Sequence, residues 1–156
     1  MGYNTAETEW PSSAKVSQDK QKLLDYYFSL LDTSEATVGD KLAEIFTDDG
    51  CIMGPTGTAR GHEQIRNSRQ HAWKVIKTRL HKLTRVYVFD SDATDLLVIG
   101  TAVQGLANGK SVSGEWVARI CLEQTSPAGS LKIKSHQVWA DFGGAQKAIQ
   151  EALGSS

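Results

Sequence analysis

The sequence predicts an α+β domain: a strongly bent antiparallel sheet packed against three N-terminal helices, a cone around an internal pocket. Three observations carry this. Apolar residues recur at helical spacing through the first half of the chain. From about residue 78 the period changes to that of long strands rich in β-branched and aromatic residues. An Asn108-Gly109 pair between two such strands marks a tight hairpin.

Residues 1–16 are polar, carry Pro11 and lack periodicity, so they read as a loose tail before a single domain over 17–153. Ser17 caps a first helix whose apolar stripe is Leu23, Tyr27, Leu30 and Leu31. Thr37, with Asp40 three residues on, resembles a capping box opening a second helix with the stripe Val38, Leu42, Ile45 and Phe46. A short strand, residues 51–54, and a glycine-rich loop lead into a third helix over 62–76 with Ile65, Ala72, Trp73 and Ile76 inward. Strands follow over 78–90, 95–107, 110–125 and 130–142. A closing amphipathic helix shows Ala145, Ala148, Ile149 and Leu153 on one face.

A two-residue Asn-Gly loop sets the register of the central hairpin. Thr101 then faces Trp116, Ile99 faces Ala118, and Leu97 faces Ile120, which gathers Leu97, Ile99, Thr101, Val103, Trp116, Ala118 and Ile120 on one apolar face. The opposite face, with Val98, Ala102, Gln104, Glu115 and Arg119, is mixed and suits solvent or a second subunit. Gly100, Gly105 and Gly114 offer places for bends.

Composition excludes several classes. The 156 residues are 40% apolar and 22% charged, with a net charge of −1, so no global field draws the protein to nucleic acid or an anionic membrane. No apolar run approaches the ~20 residues of a membrane span. The N-terminus lacks the apolar core of a secretory signal, and Cys51 and Cys121 read as reduced thiols, which together point to the cytoplasm. The loop from Gly54 to Gly61 lacks the Gly-Lys-Ser/Thr of a phosphate loop, and His62, His71 and His81 lack metal-site spacing, so no metal is expected. Seven basic residues and no acidic one fall between Arg66 and Arg85. The ordinary reading is a solvated face, the sharper one attraction of an anionic substrate.

The segments LLDYYFSLLD (23–32), LAEIFTDDG (42–50), GPTGTARGHEQI (54–65), LHKLTRVYV (80–88), SGEWVARICLE (113–123) and KIKSHQVWADF (132–142) resemble the nuclear transport factor 2-like superfamily, in its SnoaL-like small-enzyme branch. In texture the chain is most similar to fungal members, some of which act in secondary metabolism. The resemblance implies a domain that needs no organic cofactor and pairs as a homodimer through the outer sheet face. The scaffold hosts cyclases, isomerases, dehydratases, epoxide hydrolases and noncatalytic binders, so fold does not name the reaction. Cyclases and epoxide hydrolases of this kind carry an acid on the last strand, where this chain reads His136-Gln137-Val138. Val138 in place of that acid argues against epoxide hydrolysis.

The candidate catalytic residues are His81, His136, Tyr27 and Asp141. His81 stands where dehydratase-like relatives of this fold place a pocket histidine, and an imidazole titrates near pH ~6.5. His136 and Asp141 share the last strand but point to opposite faces if that strand is regular. Alternation leaves open whether His136 and Val138 or Ile133, Ser135, Gln137 and Trp139 face inward. Tyr27 offers a hydroxyl from the first helix. Met53, Trp73, Tyr87, Thr101, Trp116 and Val138 are expected to line an apolar pocket. The functional expectation is a cofactor-free isomerase, cyclase or dehydratase acting on an apolar small molecule. The alternative is a noncatalytic binding or protein-interaction module.

Overall fold

The protein is described from a computed structural model covering residues 2–154. Four helices and six strands follow in the order α1 (Gln18–Leu31), α2 (Val38–Ile45), β1 (Phe46–Gly54), β2 (Gly57–Arg60), α3 (Gly61–Asn67), β3 (Ile76–Val88), β4 (Asp95–Leu106), β5 (Ser111–Gln124), β6 (Leu131–Ala140) and α4 (Gly143–Gly154). The strands form one open sheet in the order β2-β1-β6-β5-β4-β3. It is mixed rather than wholly antiparallel, because β1 runs parallel to β6.

Helix α1 begins where expected, Ser17 accepting the Lys20 backbone N–H at 3.5 Å. It lays Leu24, Phe28 and Tyr27 against the concave sheet face, where Leu96, Val98, Ala118, Ile120 and Ile133 complete the main core. Thr37 makes no side-chain cap on α2; Asp40 instead takes the Nε–H of Arg66 at 2.5 Å. α3 is half the expected length. The Ser68 hydroxyl turns back to the Ile65 carbonyl, and residues 68–74 continue as successive turns. Val75 and Ile76, read as helical, instead join a second apolar cluster with Leu106 and Ala152 beneath α4.

The central hairpin is displaced by one residue from the predicted register. Gly100 faces Trp116, and Thr101 faces Glu115. Leu106 and Lys110 close a three-residue loop in which Gly109 adopts φ +82°, the left-handed residue that follows a type I turn in such loops. The slip turns β4 over. Leu96, Val98 and Ala102 face the core side, while Leu97 and Val103 are exposed on the outer face. Alternation did not specify the register because Leu96 to Ile99 is apolar at every position, so either face satisfies the pattern. Further slips between Leu83 and Arg85, and between Cys121 and Leu122, bend the sheet. The second places an extra residue, Lys134, in β6, so Ile133 and His136 both point inward although they are three apart. The two arrangements open for this strand are thus both realised, one on each side of the bulge.

Residues 4–9, expected as part of a loose tail, lie along β3. Leu83 N–H bonds Asn4 O at 3.0 Å, and Glu9 exchanges backbone bonds with Thr84 and Val86. Asp25 of α1 accepts the Asn4 and Thr5 backbone N–H groups, each at 3.0 Å. Asn4 and Thr5 are buried as a result. Polarity alone did not reveal this, since these groups are satisfied by specific partners rather than by water.

Gly100 sits under the Trp116 ring. A β-carbon there would lie 2.2 Å from Trp116 Cζ2 and 2.5 Å from the Lys82 carbonyl oxygen. One of those neighbours is backbone and cannot swing aside. Gly100→Ala is therefore expected to destabilise the fold by about 1–3 kcal/mol, read from urea unfolding; an unchanged midpoint would contradict the packing described.

Candidate active site

Between α1, the turns after α3, the concave sheet face and α4 lies a cavity of about 1070 Å³. Its floor is aromatic. Phe28 stacks on Trp116 with centroids 5.0 Å apart, and the rings of His81 and His136 lie 5.6 and 6.3 Å from Phe28.

His81 projects from β3 opposite Ala102. Its Nδ1 lies 2.5 Å from Oδ1 of Asp32, the residue that ends α1. Oδ2 of the same carboxylate accepts the His81 backbone N–H at 2.8 Å and the Asn4 side-chain amide at 2.9 Å. Three donors thus fix a carboxylate whose side chain is only 9% exposed. With Nδ1–H directed to Asp32, the neutral ring presents Nε2 as a free base, and the carboxylate stabilises the imidazolium formed when it takes a proton.

His136 and Tyr27 form a second pair, Tyr27 Oη to His136 Nδ1 at 2.8 Å. Burial raises the Tyr27 hydroxyl well above its ordinary value, so it remains protonated. A phenol is a stronger acid than a neutral imidazole N–H, and the hydroxyl is therefore the donor. Burial, with a smaller contribution from His81, lowers His136 to about 4, so its ring is neutral at pH 7. Nε2 then carries the proton, and it is buried without a hydrogen-bond partner, as is Nε1 of Trp116. Both residues line the cavity. Two N–H donors thus lie unpaired in the wall behind the aromatic floor, out of contact with its open space.

Two arginines complete the wall. Arg69, from the turns after α3, and Arg79, from β3, both donate to the Leu31 carbonyl, at 2.8 and 3.4 Å. Positive charge suits a helix C-terminus. Trp73 lies 5.1 Å from the Arg79 guanidinium carbon, ring face toward the cation.

Of the sequence-predicted residues, the structure brings His81, His136, Tyr27, Trp116 and Val138 to one cavity. Asp141 reaches only its mouth, where it is exposed and accepts the Gly143 N–H at 3.0 Å. Four placements are corrected. Thr101 is turned outward by the hairpin slip. Tyr87 is turned outward by the bulge after Leu83 and is 45% exposed. Met53 alternates with Ile52, which takes the wall position opposite His136. Trp73 packs on the second apolar cluster and Arg79 rather than on the cavity.

Asp32 escaped the sequence reading, although its position was a sign: an acid closing a helix opposes the dipole and needs another reason to be there. Arg69 belongs to the basic run read as a solvated face, on a helix expected to reach it that stops at Asn67. Among the described residues no three His, Cys, Asp or Glu side chains come together in a metal-holding group. No described helix is long and apolar enough to cross a membrane.

The burial of His136 has a consequence for stability. Its ordinary value is 6.5 and its folded value about 4, so between these the unfolded chain binds a proton that the fold refuses. Stability therefore declines as pH falls from 6.5 towards 4, with a contribution of roughly 3 kcal/mol once both states are protonated. Relative to wild type, His136→Asn should unfold with a shallower pH dependence in that window; parallel curves would refute the assignment.

No protein-family model matches the chain, and no curated protein matches it in sequence. Solved structures do match in fold. A hexachlorocyclohexane dehydrochlorinase, LinA type 2, aligns with TM-score 0.64 and 19% identity, over 79% of this chain and 83% of that one. ActVI-ORFA from Streptomyces coelicolor aligns with TM-score 0.62 and 17% identity, over 79% and 95%. An NTF2-like protein of unknown function from Burkholderia pseudomallei aligns with TM-score 0.65 and 13% identity, over 84% and 97%. The open six-stranded sheet, wrapped around helices and a cavity, is the nuclear transport factor 2-like cone fold.

Proposed function

We propose that the protein is an acid/base enzyme that removes a proton from carbon in a small, largely apolar substrate, completing an elimination or an isomerisation. The observation that carries this reading is the Asp32–His81 pair, held by three donors at the edge of an aromatic cavity. In the proposed step the C–H bond breaks and its proton passes to Nε2 of His81. The electron pair moves into an enolate held against the aromatic floor beside His136 and Trp116. The enolate then expels a β-substituent, which leaves with the proton returned by His81. Alternatively the His81 imidazolium reprotonates it at another carbon, giving an isomer. The chain's own residues supply every proton transfer, so the reading needs no organic cofactor. The dehydrochlorinase among its structural neighbours performs an elimination on the same scaffold, which is compatible with this chemistry.

The alternative, a noncatalytic ligand carrier, draws its support from Val138 in the place of an acid. It leaves the buried Asp32–His81 arrangement without a role.

The test is to incubate the protein with small-molecule extract of its source organism and compare compounds by mass spectrometry against a heat-denatured control. Conversion of a compound to an isomer, or to a product lighter by one small neutral molecule, is expected. His81→Ala should slow it by about 10²–10⁴-fold, and Asp32→Asn by a comparable factor through loss of the ring's tautomer and orientation. Equal rates in wild type and His81→Ala would refute the assignment, and capture of an unaltered compound would favour the carrier.

The outer sheet face is proposed to pair two copies of the chain. Tyr87, Phe89, Leu97, Val103 and Trp139 are all exposed there or at its edge, Phe89 at 89%. Light scattering at micromolar concentration should return twice the 17.0 kDa chain mass. A monomer would contradict the pairing.

A further inference from the structure

Of the seven basic residues between Arg66 and Arg85, three are paired with carboxylates: Arg66 with Asp40, Lys82 with Glu7 and Arg85 with Glu9. Lys74 and Lys77 are exposed to solvent. Arg69 and Arg79 alone turn into the cavity wall. Among the described residues no carboxylate lies within ion-pair distance of either.

Among the described residues their only hydrogen-bonded acceptor is the Leu31 carbonyl, which takes one donor from each. A guanidinium carries five N–H donors in a fixed fork. The Nε of both arginines is buried with no partner. Two cations that share one carbonyl repel each other. Burial lowers Arg79 to about 10, with repulsion from Arg69 adding to it, and burial lowers Arg69 as well. Tyr27 and then Asp32 offset this for Arg69, and Asp32 for Arg79, but the Asp32 oxygens are already engaged by His81 and Asn4. Two guanidiniums therefore stand against one engaged carboxylate. Glu63, Glu115 and Asp141 border the same cavity, and all three are exposed at its rim.

Half-buried cations with unpaired donors persist when something compensates them. We propose that Arg69 and Arg79 form an anion subsite that receives the carboxylate of the substrate, so that the substrate is an apolar carbon skeleton bearing one acidic group. This rests on the acid/base reading and specifies its substrate class. The position suits that role. Leu31 immediately precedes Asp32, so a carboxylate on the arginine pair is anchored next to His81, while the aromatic floor takes the carbon skeleton. Trp73, beneath the Arg79 guanidinium, is then a positioning residue for the subsite.

The test uses two probes of the same shape, 2-naphthoate and the neutral 2-naphthamide, titrated into the whole protein by calorimetry. The expected result is binding of the naphthoate about tenfold or more tightly than the amide, with the preference weakening as salt is added. Arg79→Gln and Arg69→Gln should each shrink the preference and the double variant abolish it. Arg79→Lys, which keeps the charge but not the fork, should retain part of it; circular dichroism and the midpoint of unfolding show that each variant is folded.

Equal affinity for the two probes in wild type, preference surviving in the folded double variant, or uptake of neither probe at millimolar concentration would each overturn the subsite. His81→Ala should keep the naphthoate preference while losing turnover, so the two proposals fail separately. A protein whose activity depends on His81 but which ignores the probe's charge has the chemistry without the anion site. A charge preference with no dependence of activity on His81 gives the reverse.

Discussion

The carboxylate of Asp32 is the point on which three parts of the chain converge. It receives a backbone N–H and a ring nitrogen from β3 and an amide from the N-terminal segment, while its own backbone ends α1. An ionised group so little exposed to solvent is tolerable only when its lone pairs are occupied. Each donor therefore depends on the others being in place. If the N-terminal segment lifts away, the carboxylate loses one donor; if α1 shifts along the sheet, it loses two. Packing of the helix, docking of the segment and orientation of His81 are aspects of one constraint.

The cavity arises from a second constraint, the mismatch between a bent sheet and straight helices. The slips after Leu83 and before Leu122 let strands that are apolar along most of their length change which residues they send inward. Without the bulge in β6, Ile133 and His136 could not share the concave side. A hydrophobic residue for the core and a polar one for the cavity are thus delivered by one strand. The near-planar contact of Phe28 with Trp116 then separates the packed core from the open space above it, with Gly100 leaving room for the indole.

The sequence made the architecture legible wherever a period ran long enough: α1 and the four long strands fall close to their expected bounds, and the closing helix α4 is present. It was less informative wherever a one-residue change decided the outcome. In β4, apolar residues on both faces carried no register information, so Thr101 was expected where Ala102 stands. Arg69 looked like one of several surface cations because α3 was expected to continue past Asn67, whereas the Ser68 side chain closes the helix there. His81, His136 and Tyr27 were visible as chemistry-bearing types, although the facing of His136 was open. Their partners were not, since Asp32 lies 49 residues from His81 and Tyr27 109 from His136. Pairings across such separations are set by topology rather than by local spacing.

The segment along β3 has a consequence of another kind. β3 is the last strand of the sheet, and an exposed edge strand with free backbone groups is a template on which further chains can add. Residues 4–9 occupy part of that edge through the Leu83, Thr84 and Val86 backbone groups. The segment therefore acts as a built-in guard against edge-to-edge association, and the same Asn4 that guards the edge also supplies a donor to Asp32. Clipping a few residues beyond Asn4 would disturb colloidal behaviour and the alignment of the imidazole in a single event.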